Sequence, residues 1–223
     1  MRTVSELTEA DDPAWPEIHQ ELASAPVPIK ILPVHPANGA RNLYALQVST
    51  RSALGALALH TGGVLVDHGW LRVFGGGDPA RRMPGLAEVN DMTAGYPPTL
   101  LVGVDVIGGR FEINGADPAA LGRPGSPGDI CYFAPDTLEW EEHLDGHSSW
   151  LSWLATGGTT SFYEDLRWSG WAEQTRNLWL DQGFSSYPPL FTQEAQNNPV
   201  AISRKVVPLA ELHGFLANSA GSR

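Results

Sequence analysis

The spacing of apolar positions changes twice along the chain, and the changes divide it into three stretches. In the first, Trp15, Ile18 and Leu22 recur at intervals of three and four residues, which places them on one face of a helix. Asp12 suits the N-cap of that helix and Pro13 its first position, and Ala25-Pro26-Val27-Pro28 ends it. Residues 29–32 form a short strand candidate. Residues 40–48 predict a second helix with Leu43, Tyr44 and Leu46 on its apolar side. In the middle stretch the apolar runs shorten to 54–59, 64–66 and 70–74, and Thr61-Gly62-Gly63 predicts a hairpin turn. A second hairpin is expected where 100–107 and 110–114 flank Gly108-Gly109, and a turn at 134–137 joins strands 130–133 and 138–142. Arg110-Phe111-Glu112-Ile113 alternates polar and apolar, as a half-buried antiparallel strand does. In the last stretch the spacing is helical again over 150–154, 162–167, 171–180 and 209–216, with 201–207 strand-like.

Strands gathered in the middle and helices outside predict an α+β fold: a central, mostly antiparallel sheet over about 54–142, flanked by N- and C-terminal helices. The chain divides near residue 158, into an α+β core of 1–158 and a helical C-terminal extension, 159–223, packed on it as one compact unit.

Composition narrows the function classes. The 223 residues are 42% apolar, enough for one sizeable core. The net charge of −11 argues against binding a phosphate backbone, so no nucleic-acid partner is expected. No run of about 18 apolar residues exists, and the N-terminus lacks an apolar leader segment, so the expected location is the cytoplasm with no membrane contact. The single cysteine, Cys131, reads as a small buried hydrophobe.

Four constellations could carry chemistry. Glu139, Glu141, Glu142, His143, Asp145 and His147 crowd one stretch, but without a helical ligand pair, so no metal and no cofactor is expected. Their plain reading is a solvated strand edge kept from pairing by charge. Ser148, Ser149 and Ser152 lie near His147 without a nucleophile-elbow motif, and Gly75-Gly76-Gly77 does not make a phosphate-cradling loop. Eight large aromatics between Trp140 and Trp179 are expected mostly to glue the C-terminal helices to the sheet.

The segments Asp11-Asp12-Pro13-Ala14-Trp15-Pro16, Thr61-Gly62-Gly63, Asp67-His68-Gly69-Trp70-Leu71-Arg72, Phe111-x-Ile113-Asn114-Gly115, Tyr132 through Glu141 and Phe162-Tyr163-x-x-Leu166-Arg167-Trp168-x-Gly170-Trp171 together resemble a bacterial family, domain of unknown function 2625. The resemblance spans residues 11–171 and implies no established activity. A second resemblance, carried by Val106 through Asn114, Ile130-Cys131-Tyr132-Phe133 and the helix at 148–154, is to the SUKH superfamily of immunity proteins. It implies a SUKH-like sheet and the neutralisation of a toxin by binding. The long extension after residue 158 departs from that pattern.

Two functions follow as expectations. The first is a cytoplasmic protein-binding module, of the immunity type, for a basic toxin steered to it by charge. Glu139, Trp140, Glu141, Glu142 and Asp145, with Asp136, Arg167 and Trp168, would form its contact. The second is a small-molecule-binding protein or enzyme whose polar pocket joins Asp67, His68 and Arg72, the candidates for any catalysis. A deep pocket joining those three favours the second, and a flat acidic, aromatic face favours the first.

Overall fold

The structure is a computed structural model describing residues 1–92 and 95–222. The N-terminal part runs α1 (Val4–Thr8), α2 (Trp15–Ala23), β1 (Ile29–Leu32), α3 (Pro36–Leu46) and α4 (Ala53–His60). The central part runs β2 (Gly63–Val66), β3 (Leu71–Phe74), α5 (Leu86–Val89), β4 (Thr99–Asp105), β5 (Arg110–Asn114), β6 (Ile130–Ala134) and β7 (Glu139–Leu144). Then come α6 (His147–Ala155), α7 (Thr159–Phe162), α8 (Trp171–Arg176), β8 (Gln182–Tyr187), α9 (Gln193–Asn197), β9 (Ser203–Pro208) and α10 (Leu209–Ala220).

The fold is α+β. β1 to β7 pair in chain order, each antiparallel to the next, while β8 and β9 form a separate antiparallel pair. The register draws one row across the whole sheet: Lys30, Leu65, Arg72, Val104, Arg110, Phe133 and Trp140 are successive cross-strand partners and share one face. The next row, with Val64, Val73, Gly103, Phe111 and Tyr132, lies on the other face. The second row is buried throughout, and in the first Arg72, Val104 and Phe133 are buried and only Lys30 is exposed, so both faces are covered over the middle of the sheet.

The Phe111 face carries α6, whose Trp150 ring lies 5.2 Å from Phe111. Gly103 makes that packing possible, because a Cβ there would stand 2.8 Å from the Trp150 ring. The Arg72 face is covered by the C-terminal segment. Arg72 donates to the carbonyls of Leu180 and Gln182, and Leu212 and Leu216 of α10 close over Gly108. The residues after 158 thus contribute a two-stranded ribbon as well as helices.

Three local expectations give way to other structures. The run 54–59 is not the first strand of a hairpin but the helix α4, and Thr61-Gly62-Gly63 connects a helix to a strand. Ser52 caps it, its hydroxyl accepting from the Gly55 amide at 3.1 Å. Ala53, Gly55, Ala56, Leu57 and Ala58 are all buried, and a helix buried on all sides shows no 3.6-residue period. Helix α2 starts at Trp15 with Pro16 in its first turn, two residues past the start expected at Asp12-Pro13, because the Ala14 amide is tied to the Thr50 carbonyl at 2.9 Å. The helix expected over 162–167 ends at Phe162, and Arg167 is extended, which turns its side chain inward.

Among the described residues no helix is long and apolar enough to cross a membrane.

Candidate functional site

The connection from β2 to β3 is a tight turn of unusual backbone. Asp67 and His68 adopt φ values of 50° and 61°, and Gly69 follows at 88°. Two successive non-glycine residues with positive φ are uncommon, although Asp and His tolerate the region better than most. The surroundings enforce the turn. The Asp67 amide donates to the Pro28 carbonyl at 2.8 Å, and the Trp70 amide to the Asp67 carbonyl at 3.0 Å.

The Asp67 carboxylate is buried, and its Oδ2 accepts from Arg167 Nη2 at 2.5 Å and from Thr159 Oγ1 at 2.6 Å. The Arg167 guanidinium also sits 4.3 Å above the Trp171 ring. Trp70, fully buried, is surrounded by Tyr163, Trp168 and Trp171 at centroid distances of 5.3–5.5 Å. The polar and aromatic sequence segments at 67–72 and 162–171 therefore meet in space. Their meeting fixes the turn and commits Asp67 to the interior.

His68 takes the opposite course and faces solvent. Its Nδ1 accepts from Arg176 Nε at 3.2 Å and Nη2 at 2.9 Å, while Nη2 also lies 3.2 Å from Nε2. Partial burial, then the charge of Arg176, lowers the His68 pKa below the ordinary imidazole value, against the pull of Asp67. The ring is thus neutral at pH 7. With Nδ1 accepting, its proton rests on Nε2.

A cleft of about 380 Å3 opens beside this ring. Pro28, Ile29 and Leu65 give it an apolar floor, Gly69 part of its wall, and Lys30, His68 and Arg176 its polar rim. All three titratable residues lining it are basic, although the chain as a whole carries 25 acids against 14 Lys and Arg.

The expected pocket of Asp67, His68 and Arg72 is not built as one site. Arg72 is fully buried, donating to the carbonyls of Gly69 (3.2 Å), Leu180 (3.0 Å) and Gln182 (2.5 Å), and burial brings its pKa down to about 10. It pins the C-terminal segment to the sheet. Of the three, only His68 lines the cleft.

The acidic candidates lie elsewhere. Glu139, Glu141 and Glu142 are exposed on β7, the free edge of the seven-stranded sheet, and Asp145 is exposed in the turn after it. Trp140 is half-buried under the guanidinium groups of Arg123 (3.5 Å) and Arg110 (5.1 Å). Asp136 is half-buried in the β6–β7 turn. Trp168 packs on Phe184 beneath Arg204. None of the hydrogen bonds or ring contacts of Arg167 and Trp168 among the described residues reaches β7.

Sequence reasoning missed Lys30, Thr159 and Arg176, which stand outside any recognisable spacing. It also missed Asp105, a fully buried carboxylate that accepts from the Ile107 and Gly109 amides (3.0 and 2.8 Å) and from the Tyr132 and Tyr163 hydroxyls (2.7 and 3.1 Å). Burial pushes its pKa up, and those hydrogen bonds work against the rise. Among the described residues, no group of three or more His, Cys, Asp or Glu is placed to hold a metal ion.

Comparison with known proteins places this geometry in a family. The family model described as "Protein of unknown function DUF2625" matches residues 4–212. The chain is 37% identical over 212 residues to the putative uncharacterized protein YbfG of Escherichia coli K12, covering 95% of this chain and 94% of that one. It is 30% identical over 211 residues to an uncharacterized protein of Haemophilus influenzae, covering 92% and 88%. No solved structure matches. The chain belongs to the DUF2625 family.

Proposed function

We propose that this member of the DUF2625 family binds a small organic anion, a carboxylate or phosphate carried on an apolar body, in the cleft between β1 and the 67–69 turn. One observation carries the reading: the only titratable groups lining that cleft among the described residues are Lys30, His68 and Arg176. Asp67, the nearest acid in sequence, is paired with Arg167 and does not line the cleft. Arg176, whose Nε and Nη2 are turned to His68, offers an anion its remaining N–H donors and its charge, Lys30 a mobile point charge, and His68 an Nε2–H donor. Pro28, Ile29 and Leu65 would take the apolar body. The turn, held from behind by Asp67, keeps His68 in position before the ligand arrives.

Calorimetric titration with phenyl phosphate tests the reading. Binding is expected for the wild type, falling with salt. Arg176→Met, which removes a charge-assisted hydrogen bond of about 1.5–3 kcal/mol, is expected to weaken it by roughly ten- to a hundredfold. Both side chains are exposed, and Lys30→Met should weaken it less, because a flexible ammonium loses more side-chain freedom per hydrogen bond than a planar guanidinium does. Equal affinity in all three proteins would overturn the proposal.

A second reading, a cytoplasmic immunity-type module for a basic protein, is favoured by the free β7 edge with its exposed Glu139, Glu141 and Glu142. Charge there would accelerate encounter with a basic surface. A partner retained from lysate by the wild type at low salt and lost by Glu141→Lys/Glu142→Lys supports it. Retention by the variant excludes this edge.

A further inference from the structure

On the Arg72 face of the sheet, a second cavity of about 280 Å3 lies between β3 and β4 and the start of α10. Its lining is mostly apolar, with Phe74, Leu101, Val104 and Leu209 the larger contributors. Two polar side chains also line it, Asp181 and His213. Asp181 Oδ1 and His213 Nε2 are both shielded from solvent and have no hydrogen-bond partner. Buried polar atoms are nearly always paired, and an unpaired carboxylate oxygen is among the costlier exceptions. The other oxygen of Asp181 faces outward, 3.6 Å from Arg82 Nη1, in a pair whose side chains are about half exposed. That pair engages Oδ2 and leaves Oδ1 of this cavity-lining residue unsatisfied. Burial and the nearby Arg110 charge lower the His213 pKa to about 4, so its ring is neutral at pH 7 and adds no positive charge.

We propose that this cavity binds a small primary amine with an apolar body, whose ammonium group donates to Asp181 Oδ1. The volume of about 280 Å3 lies just below the usual range for ligand pockets, about 300–1,000 Å3, and suits a single ring with a short side chain. The apolar wall supplies contact area, and one carboxylate oxygen supplies orientation. A neutral imidazole beside it accepts a second N–H of the same ammonium. The opposite charge sign separates this site from the basic cleft at His68, with which it shares no lining residue. The two proposals therefore stand or fall independently.

The test uses the full-length protein and three probes of similar size: phenethylamine, 2-phenylethanol and 3-phenylpropionate. Binding is read by calorimetry and by amide chemical shifts. Phenethylamine is expected to bind, with shifts centred on Leu209, Ala210 and His213, and 3-phenylpropionate to bind there at least tenfold more weakly. Asp181→Asn should weaken phenethylamine by about tenfold while leaving 2-phenylethanol within about twofold, because only the ammonium depends on the charge. Ala210→Trp, at the exposed rim of the cavity, should block all three probes while the circular dichroism stays native. Equal binding of amine and carboxylate would overturn the proposal. So would undiminished amine binding in Asp181→Asn or Ala210→Trp. Should Asp181→Asn fail to fold, the amine–carboxylate comparison on the wild type and the Ala210→Trp block decide the question.

Discussion

Replacing Arg167 by Met isolates the interaction that holds the 67–69 turn. Methionine keeps much of the packing length against Trp70 and Trp171 but removes the charge and its donors. Asp67 is then left with the Thr159 hydroxyl as its remaining side-chain donor. The side chains of Asp67 and Arg167 are 6% and 11% exposed, so water screens little of the loss. Breaking a buried pair from one side costs about 3–5 kcal/mol, because the remaining charge has no partner. For a chain of this size each kcal/mol moves the melting temperature by about 2–4 °C, so a fall of roughly 6–20 °C is expected. Urea denaturation at pH 7 measures the free energy directly. The double variant Asp67→Asn/Arg167→Met should recover a substantial part of the loss, with a coupling of about 2 kcal/mol or more. A single-variant cost below about 1 kcal/mol, the range of exposed pairs, would refute the buried-lock account.

Three further outcomes follow from the same packing. Burial holds the His147 pKa near 4, so the unfolded chain takes up this proton first as pH falls below about 6.5. Stability should therefore decline between pH 6.5 and about 4, and His147→Gln should flatten the slope by up to roughly 1.4 kcal/mol per pH unit in urea melts. Asp105 titrates with the opposite sign: its folded pKa is raised, so its contribution is fully present below the unfolded value and is lost as pH rises through the folded one. The stability advantage of the wild type over Asp105→Asn should shrink from pH 3 to pH 7, and an advantage that grows with pH contradicts the assignment. Gly103→Ala puts a Cβ 2.8 Å from the Trp150 ring and should cost about 1–3 kcal/mol by chemical denaturation; a neutral effect would mean that α6 shifts freely on the sheet.

The middle of the chain was readable because its strands are short and separated by glycine- and proline-containing turns. Gly108-Gly109 marks the β4–β5 hairpin, and the polar–apolar alternation of Arg110 to Ile113 marks β5. Helix α4 was not readable, because Ala and Leu buried on every side carry no period. Strand β8 was hidden for the opposite reason: Gln182 to Tyr187 has one strong apolar residue, Phe184, and gains its strand character from pairing with β9. At the site, Asp67, His68 and Arg72 were picked out together by their nearness in sequence, and the backbone separates them. Positive φ at Asp67 and His68 sends one side chain inward and the other out, and β3 carries Arg72 beneath the C-terminal segment. Lys30 and Arg176, 146 positions apart, meet only because β1 pairs with β2 and α8 docks on the turn that follows. No local pattern encodes that meeting.

The most direct measurement follows the His68 imidazole by NMR as pH is varied, with and without saturating phenyl phosphate. Without ligand, the midpoint should lie below the ordinary histidine value, as burial and Arg176 require. An anion in the cleft favours the imidazolium, so the midpoint should rise on binding, and affinity should increase as pH falls through it. Shifts in the amides of Lys30, His68 and Gly69 should accompany the change. A His68 midpoint that stays fixed at saturating phenyl phosphate, or a response that survives intact in Arg176→Met, would contradict the anion site.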